Sequence, residues 1–210
     1  MKQKGQLIIM SGFSGAGKGT ITRALLDTYQ DEYALSISAT TRAPREGEQE
    51  GVHYFFLAKD AFEQMISEGA FLEYAQYVGN YYGTPKKYVE DQLELGKNVI
   101  LEIEIQGALQ VKKMMPEALL LFITPPSAKE LEARLRGRGT ETEEVIASRM
   151  ARAIQEAEGC EVYDYLVIND NLEQCISHIH QIIQSEKSKM NLNIDLINQI
   201  RKELNEMKGE

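Results

Sequence analysis

Nine residues constrain this chain more than any others: GFSGAGKGT at positions 12–20. They stand between a short apolar run, QLIIM at 6–10, and a helical pattern over 18–29. A phosphate chain needs backbone N–H groups converging from a tight loop. Glycines permit the positive φ angles and close approach that this requires, and the start of a helix adds partial positive charge. Lys18 then reaches the β and γ phosphates. Gly12, Phe13, Ser14, Gly15, Ala16, Gly17, Lys18, Gly19 and Thr20 are therefore the expected contacts of a nucleotide's phosphates. In the commonest form of this loop a Ser or Thr follows the lysine and ligates Mg²⁺; here Gly19 stands there and Thr20 comes one residue late. A glycine-rich turn without a ligand is the bland alternative, and strand, loop, lysine and helix in series argue against it.

The rhythm of short apolar run and longer helical pattern recurs. Buried strands are expected at 6–10, 98–104, 118–124 and 165–169, with helices over 18–29, 107–115, 127–136 and 172–190. Continuous apolar strands separated by helices imply a parallel sheet covered on both faces. The expected fold is α/β, one domain over 1–210 with a core of about 1–33, 86–126 and 160–190. Two segments break the rhythm. Between about 34 and 85 the strands alternate polar and apolar residues, as in HYFFL and FLEYAQYV, and Gly79-Asn80 signals a turn, so a smaller mixed-sheet lobe is expected. Over about 127–159 two charged helices meet at RGRGT (136–140), forming a second insertion. The tail, 191–210, is polar and helix-prone. Its stripe of Ile194, Leu196, Ile197, Ile200 and Leu204 is expected to pack on its own subunit or against a second copy.

Charge excludes one class of partner. The 23 basic side chains are outnumbered by 32 acidic ones, a net charge of −9, whereas folds that neutralise nucleic-acid backbones show a basic face. A long nucleic acid or an anionic membrane is not expected as partner. No apolar run approaches the roughly 20 residues of a membrane span, and the first residues lack a signal-peptide pattern, so a cytoplasmic protein is expected. Cys160 and Cys175 have no metal-knuckle spacing and make no disulfide framework. His178 and His180, two apart on a helix, point to different faces and do not suggest a metal site.

A second cluster of chemistry lies at SISATTRAPREGE (36–48), where Arg42 and Arg45 flank a proline-stiffened turn. Planar guanidinium forks suit a terminal phosphate dianion, and Tyr54 and Tyr82 supply phenols downstream. With the first loop, these segments form an ordered set: SATTRAPREGE, GVHYFF, FLEY, GNYYGT, EIEIQG, PPS and GRGTET. The set resembles guanylate kinases and runs collinearly from about residue 5 to 186. The GKGT ending itself is similar to the loops of nucleoside monophosphate kinases, in which Mg²⁺ is held mainly through phosphates and water. The resemblance implies ATP and GMP as substrates and ADP and GDP as products. It also implies that the 34–85 lobe binds GMP and that the 127–159 insertion is a helical lid.

Carried over by position, the resemblance assigns Ser38, Arg42, Arg45, Glu48, Tyr54, Glu73, Tyr82 and Thr84 to the GMP site, joined at the core by Glu102 and Glu104. Arg42, Arg45, Tyr54 and Tyr82 would take the phosphate, and Glu73 would face the base. Guanine offers donors at N1 and N2 that one carboxylate accepts as a pair; adenine does not. Lys18 and Arg42, with the lid's Arg134, Arg138 and Arg149, would carry catalysis, while Arg136 and Arg152 are read as extra and solvated. Gly137 and Gly139 would offer pivots for closure. Glu102 and Glu104 stand where the family often has aspartates, so Glu102 is expected to act on Mg²⁺ through water. Asn169 would help to hold the adenine. Two other readings stay open: a non-catalytic guanylate-kinase-like interaction module, and a related ribose-bisphosphate kinase, which would have no use for Glu73. The oligomeric state, monomer or homo-oligomer, is not legible.

Overall fold

The computed structural model describes residues 4–137 and 142–207. The chain begins with β1 (Leu7–Gly12) and α1 (Lys18–Thr28), then β2 (Tyr33–Leu35). It leaves the core to build β3 (Ala39–Thr40), β4 (Phe55–Phe56), α2 (Lys59–Ser67), β5 (Phe71–Tyr77) and β6 (Asn80–Pro85). It returns through α3 (Lys86–Glu94), β7 (Asn98–Glu102), α4 (Ile105–Met114) and β8 (Leu119–Thr124). The lid helices α5 (Ala128–Gly137) and α6 (Glu143–Ala157) follow, then β9 (Tyr165–Ile168), α7 (Leu172–Lys187) and α8 (Ile194–Met207).

Sheet topology puts the phosphate loop at the centre. The five core strands run parallel in the order β2-β7-β1-β8-β9. Because β1 is the middle strand, both its faces are buried, which is why it is a continuous apolar run. Successive side chains alternate between two layers. Ile8 and Met10 pack with Ile21 and Leu25 of α1 and Ile179 and Ile183 of α7. Leu7 and Ile9 pack with Val89 and Leu93 of α3 and Ala108 and Val111 of α4.

Each insertion has its own small core. The lobe is a four-stranded mixed sheet in the order β4-β3-β6-β5, with one parallel and two antiparallel pairings. Phe62 of α2 stacks on Phe71, centroids 4.3 Å apart, and on Tyr81 at 5.3 Å. The lid closes around Leu131, Leu135, Ile146 and Ala153, and Phe13 from the phosphate loop packs against this cluster.

The architecture is the α/β fold expected, with a parallel core sheet and a mixed-sheet insertion. Several local features differ; α2 and α3, for instance, are helices not expected from the sequence. Residues 33–35 join the core sheet as β2, so the lobe starts after Leu35. The strand expected over 98–104 ends at Glu102, because Glu104 takes the N-cap position of α4. The tail helix α8 has no buried residue: Leu196 and Leu204 are 53% and 54% exposed, so the stripe does not pack fully on its own subunit. No described helix is long and apolar enough to cross a membrane.

Candidate active site

The phosphate loop has the backbone that its glycines imply. Gly12, Gly15 and Gly17 have φ of 144°, 99° and 91°. A Cβ on Gly12 would meet the Ile123 carbonyl oxygen at 2.0 Å, and one on Gly17 would meet the Asn169 amide nitrogen at 2.7 Å. Gly17 caps α1, no side chain bonds that cap and no acid lies in the first turn. An anion at this positive helix end must come from a ligand or from another element. Lys18 Nζ donates to the carbonyls of Gly12 at 2.7 Å and Phe13 at 3.2 Å. Burial lowers its pKa, against the raising influence of Glu156, Glu102 and Glu104.

Asn169, expected at the adenine, lies buried beneath the loop, where its amide donates to the Ala16 carbonyl at 2.8 Å. With that nitrogen engaged, the side chain holds the loop's curvature from below. Phe13 packs edge-on against Phe122, centroids 5.1 Å apart.

Two hollows meet at the loop. One, of about 880 Å³, lies between core and lid and is bordered by Ser11, Glu104, Gln106, Arg152 and Glu156, among others. The other, of about 420 Å³, lies along Gly15, Gly17, Gly19, Thr20 and Arg23 and is bordered by Arg149. Ser14, Lys18 and Glu102 border both. An ammonium and a carboxylate thus stand at the neck between the two hollows.

The lobe assembles a second group. Arg42 pairs with Glu48 at 2.8 Å, and the other Glu48 oxygen accepts from the Arg45 backbone N–H at 2.7 Å. These contacts hold the Glu48 carboxyl down at about 2, the Arg42 hydrogen bond contributing most. The Arg42 guanidinium lies 5.4 Å from the Tyr54 ring, and Tyr54 meets Tyr82 edge-on at 6.2 Å. On the neighbouring strand pair, Thr84 Oγ1 donates to Glu73 Oε1 at 2.6 Å. Glu73 is only 9% exposed, and burial raises its pKa against the Thr84 hydrogen bonds. Its carboxylate lies against α4, where a Cβ on Gly107 would come within 3.3 Å of Oε2. Ser38 accepts a bond from the Phe55 N–H through its backbone oxygen and is partly exposed beside them.

The structure brings Arg42, Glu48, Tyr54 and Tyr82 together, and separately Glu73 with Thr84. It does not bring the lobe groups to Lys18: neither hollow is bordered by residues of the lobe. On the lid, Arg149 Nη1 donates to Ser14 Oγ at 3.2 Å, whereas Arg134 pairs along its own helix with Glu130 at 2.7 Å. Arg138 and Gly139 lie outside the described residues. Arg136 pairs with Glu132 and Glu143, and Arg152 bridges Glu104 and Glu156, so neither is merely solvated. Arg152, read in the sequence as extra, borders the hollow together with Glu156, which went unnamed there. Their spacing from Arg149, three and seven positions, puts all three on one face of α6 and was the available signal.

A model of the guanylate kinase family matches residues 4–186. The chain belongs to the guanylate kinase family. Among its relatives, the guanylate kinase of Bacillus subtilis (strain 168) is 52% identical over 189 residues, covering 90% of this chain and 93% of that protein. That of Listeria innocua serovar 6a is 50% identical over 189 residues, 90% and 92% of the two chains. The fold is similar to the crystal structure of guanylate kinase from Anaplasma phagocytophilum, with TM-score 0.67 and 33% identity, covering 90% of this chain and 89% of that one. The family match stops at the end of α7, which leaves α8 outside it.

Proposed function

We infer that this member of the family transfers the γ-phosphoryl group of ATP to GMP, and to dGMP, giving ADP and GDP for purine nucleotide metabolism. The observation that carries the base assignment is Glu73, a buried carboxylate of the lobe with one oxygen bonded by Thr84. Guanine N1–H and N2–H supply the donors that this carboxylate lacks, and adenine would leave it unsatisfied. Arg42, Arg45, Tyr54 and Tyr82 take the GMP phosphate, with Glu48 fixing the pose of Arg42, while Ser38 and Thr84 lie by Glu73 at the base.

The acceptor is a phosphate oxygen, anionic near neutral pH, so no general base is needed and catalysis is positioning and charge neutralisation. The loop from Gly12 to Thr20 cradles the ATP phosphates, and Lys18 turns from its two carbonyls to them. Arg134, Arg138 and Arg149 come over the transferring group as the lid closes and water is excluded. Glu102 is an exposed carboxylate at the neck, 3.9 Å from where a Gly19 Cβ would lie. Phosphates and water are a donor set that Mg²⁺ accepts, with the Glu102 carboxylate acting through water, so these residues fit the ion, which when bound would neutralise phosphate charge. Glu104, paired with Arg152, shapes the same wall. The protein works in the cytoplasm.

The test offers GMP, dGMP, AMP, CMP, UMP and dTMP with Mg·ATP and follows ADP release. GMP and dGMP are expected to be phosphorylated; turnover led by AMP would refute the role of Glu73.

A further inference from the structure

A cradle built for anions already holds one. Ser14, in the phosphate loop, donates its backbone N–H to Glu156 Oε2 at 3.3 Å. Glu156 comes from the lid helix α6, 142 residues further on, and its side chain is only 18% exposed. Its other oxygen, Oε1, lies 3.4 Å from Arg152 Nε, and Arg152 in turn pairs with Glu104 at the start of α4. Nearly two turns before Glu156, Arg149 donates to the hydroxyl of the same Ser14. Three side chains on one face of the lid helix thus fasten it to the two core segments that border the catalytic neck. Meanwhile the Lys18 ammonium is turned back onto the Gly12 and Phe13 carbonyls.

A carboxylate oxygen and a phosphoryl oxygen are alike to a backbone N–H: both are anionic acceptors of one short, directed bond. We propose that Glu156 is a positioning residue that substitutes for a nucleotide phosphate oxygen at the loop and must be expelled when ATP binds. The inference rests on the reading of Ser14 and Lys18 as groups that meet the phosphates of ATP. It gives the lid a defined resting pose without nucleotide. It also makes phosphate entry compete with a lid contact, so that ATP affinity is reduced by the population in which the contact is made. Arg152 keeps the displaced carboxylate from drifting into the phosphates, since it is already tied to Glu104 on the core.

Binding of ATP and of ADP to the intact protein, measured by calorimetry, tests this. Glu156→Ala removes both charge and contact and is expected to tighten both nucleotides roughly tenfold, the scale of one charged hydrogen bond. Glu156→Asp keeps the charge but falls short of Ser14 by one methylene, and is expected to tighten them in the same direction. Glu158→Ala removes a negative charge from the wall of the same hollow and is expected to change affinity less than twofold. KM for ATP should fall in both Glu156 variants while KM for GMP stays within twofold. A merely structural role for Glu156 would weaken ATP binding. Unchanged or weaker ATP binding by Glu156→Asp, or equal tightening by Glu158→Ala, overturns the proposal. Lys18→Met separates the two readings: if it leaves ATP binding intact, the assignment of the loop itself fails, whereas loss of binding there with unresponsive Glu156 variants sinks only the competition.

Discussion

Burying the Glu73 carboxylate carries a cost that a proton, or a ligand with paired donors, would offset. Burial raises its pKa, so the folded state holds the proton more tightly than the unfolded chain does. Its stabilising contribution is then present in acid, below the unfolded value, and is lost as pH rises through the folded one. Glu73→Gln is accordingly expected to melt higher than the parent at pH 7, with the gap closing toward pH 4 in thermal scans. The same variant should lose GMP-over-AMP preference more than phosphate affinity, read as the ratio of kcat/KM values for the two nucleotides. GMP binding to the parent should weaken as pH falls through the Glu73 pKa, because the protonated acid cannot accept from both N1–H and N2–H. At Lys18, replacement by Met removes the one cation at the neck that comes from the loop and should lower kcat by on the order of 10²–10³-fold or more. Lys18, Arg42 and Glu73 were legible because each sits in a motif. Arg152 and Glu156 were not, since their partners Glu104 and Ser14 are distant in sequence and only the packing of α6 brings them together.

The loop and the helix it opens depend on what lies beneath them. Asn169 holds the Ala16 carbonyl and occupies the space beside Gly17, so the two positions are coupled. Asn169→Ala should cost about 1–3 kcal/mol in chemical denaturation, the scale of a lost buried hydrogen bond. Gly17→Ala should cost about as much through its positive φ and the 2.7 Å approach of the amide. The double variant is expected to lose less than the sum of the two, because removing the amide clears the clash. Long apolar strands such as β1 and β8 were legible as elements because both faces are buried and no alternation confuses the run. β2 was not: it has three residues, and only Tyr33 among them is fully buried. α2 escaped as well: Phe62, Met65 and Ile66 stand at helical spacing and pack in the lobe core, but the helix is nine residues long and only Phe62 is fully buried, so the face is short.

At the scale of the molecule, acid is unevenly spread. Residues 46–104 hold 12 acidic and 4 basic side chains, yet Arg42 and Arg45 stand just before this acidic stretch and Arg149 of the lid reaches the phosphate loop at Ser14. The tail adds little to this body. Removing residues 194–210 takes away α8 but keeps Asn193, whose amide donates to the carbonyls of Lys187 and Lys189 at 2.8 Å. Because α8 buries no residue, the truncated protein should melt within about 2 °C of the parent and turn over at the same rate. The course of the chain has a wider consequence. The lobe departs after Leu35 and comes home to β7, which pairs with β2 through Leu35 and Ile100. The lid departs after Thr124 and comes home to β9, paired through Thr124 and Ile168. Both excursions are therefore bracketed by strands already bonded to each other, and the lobe has an aromatic core of its own. On the proposal that Glu73 reads the base, acceptor choice travels as a cassette: a different lobe spliced between the same two paired strands, with its seam against α4 at Leu72 and Gly107 kept, is expected to change the base accepted while leaving the phosphate loop as it is.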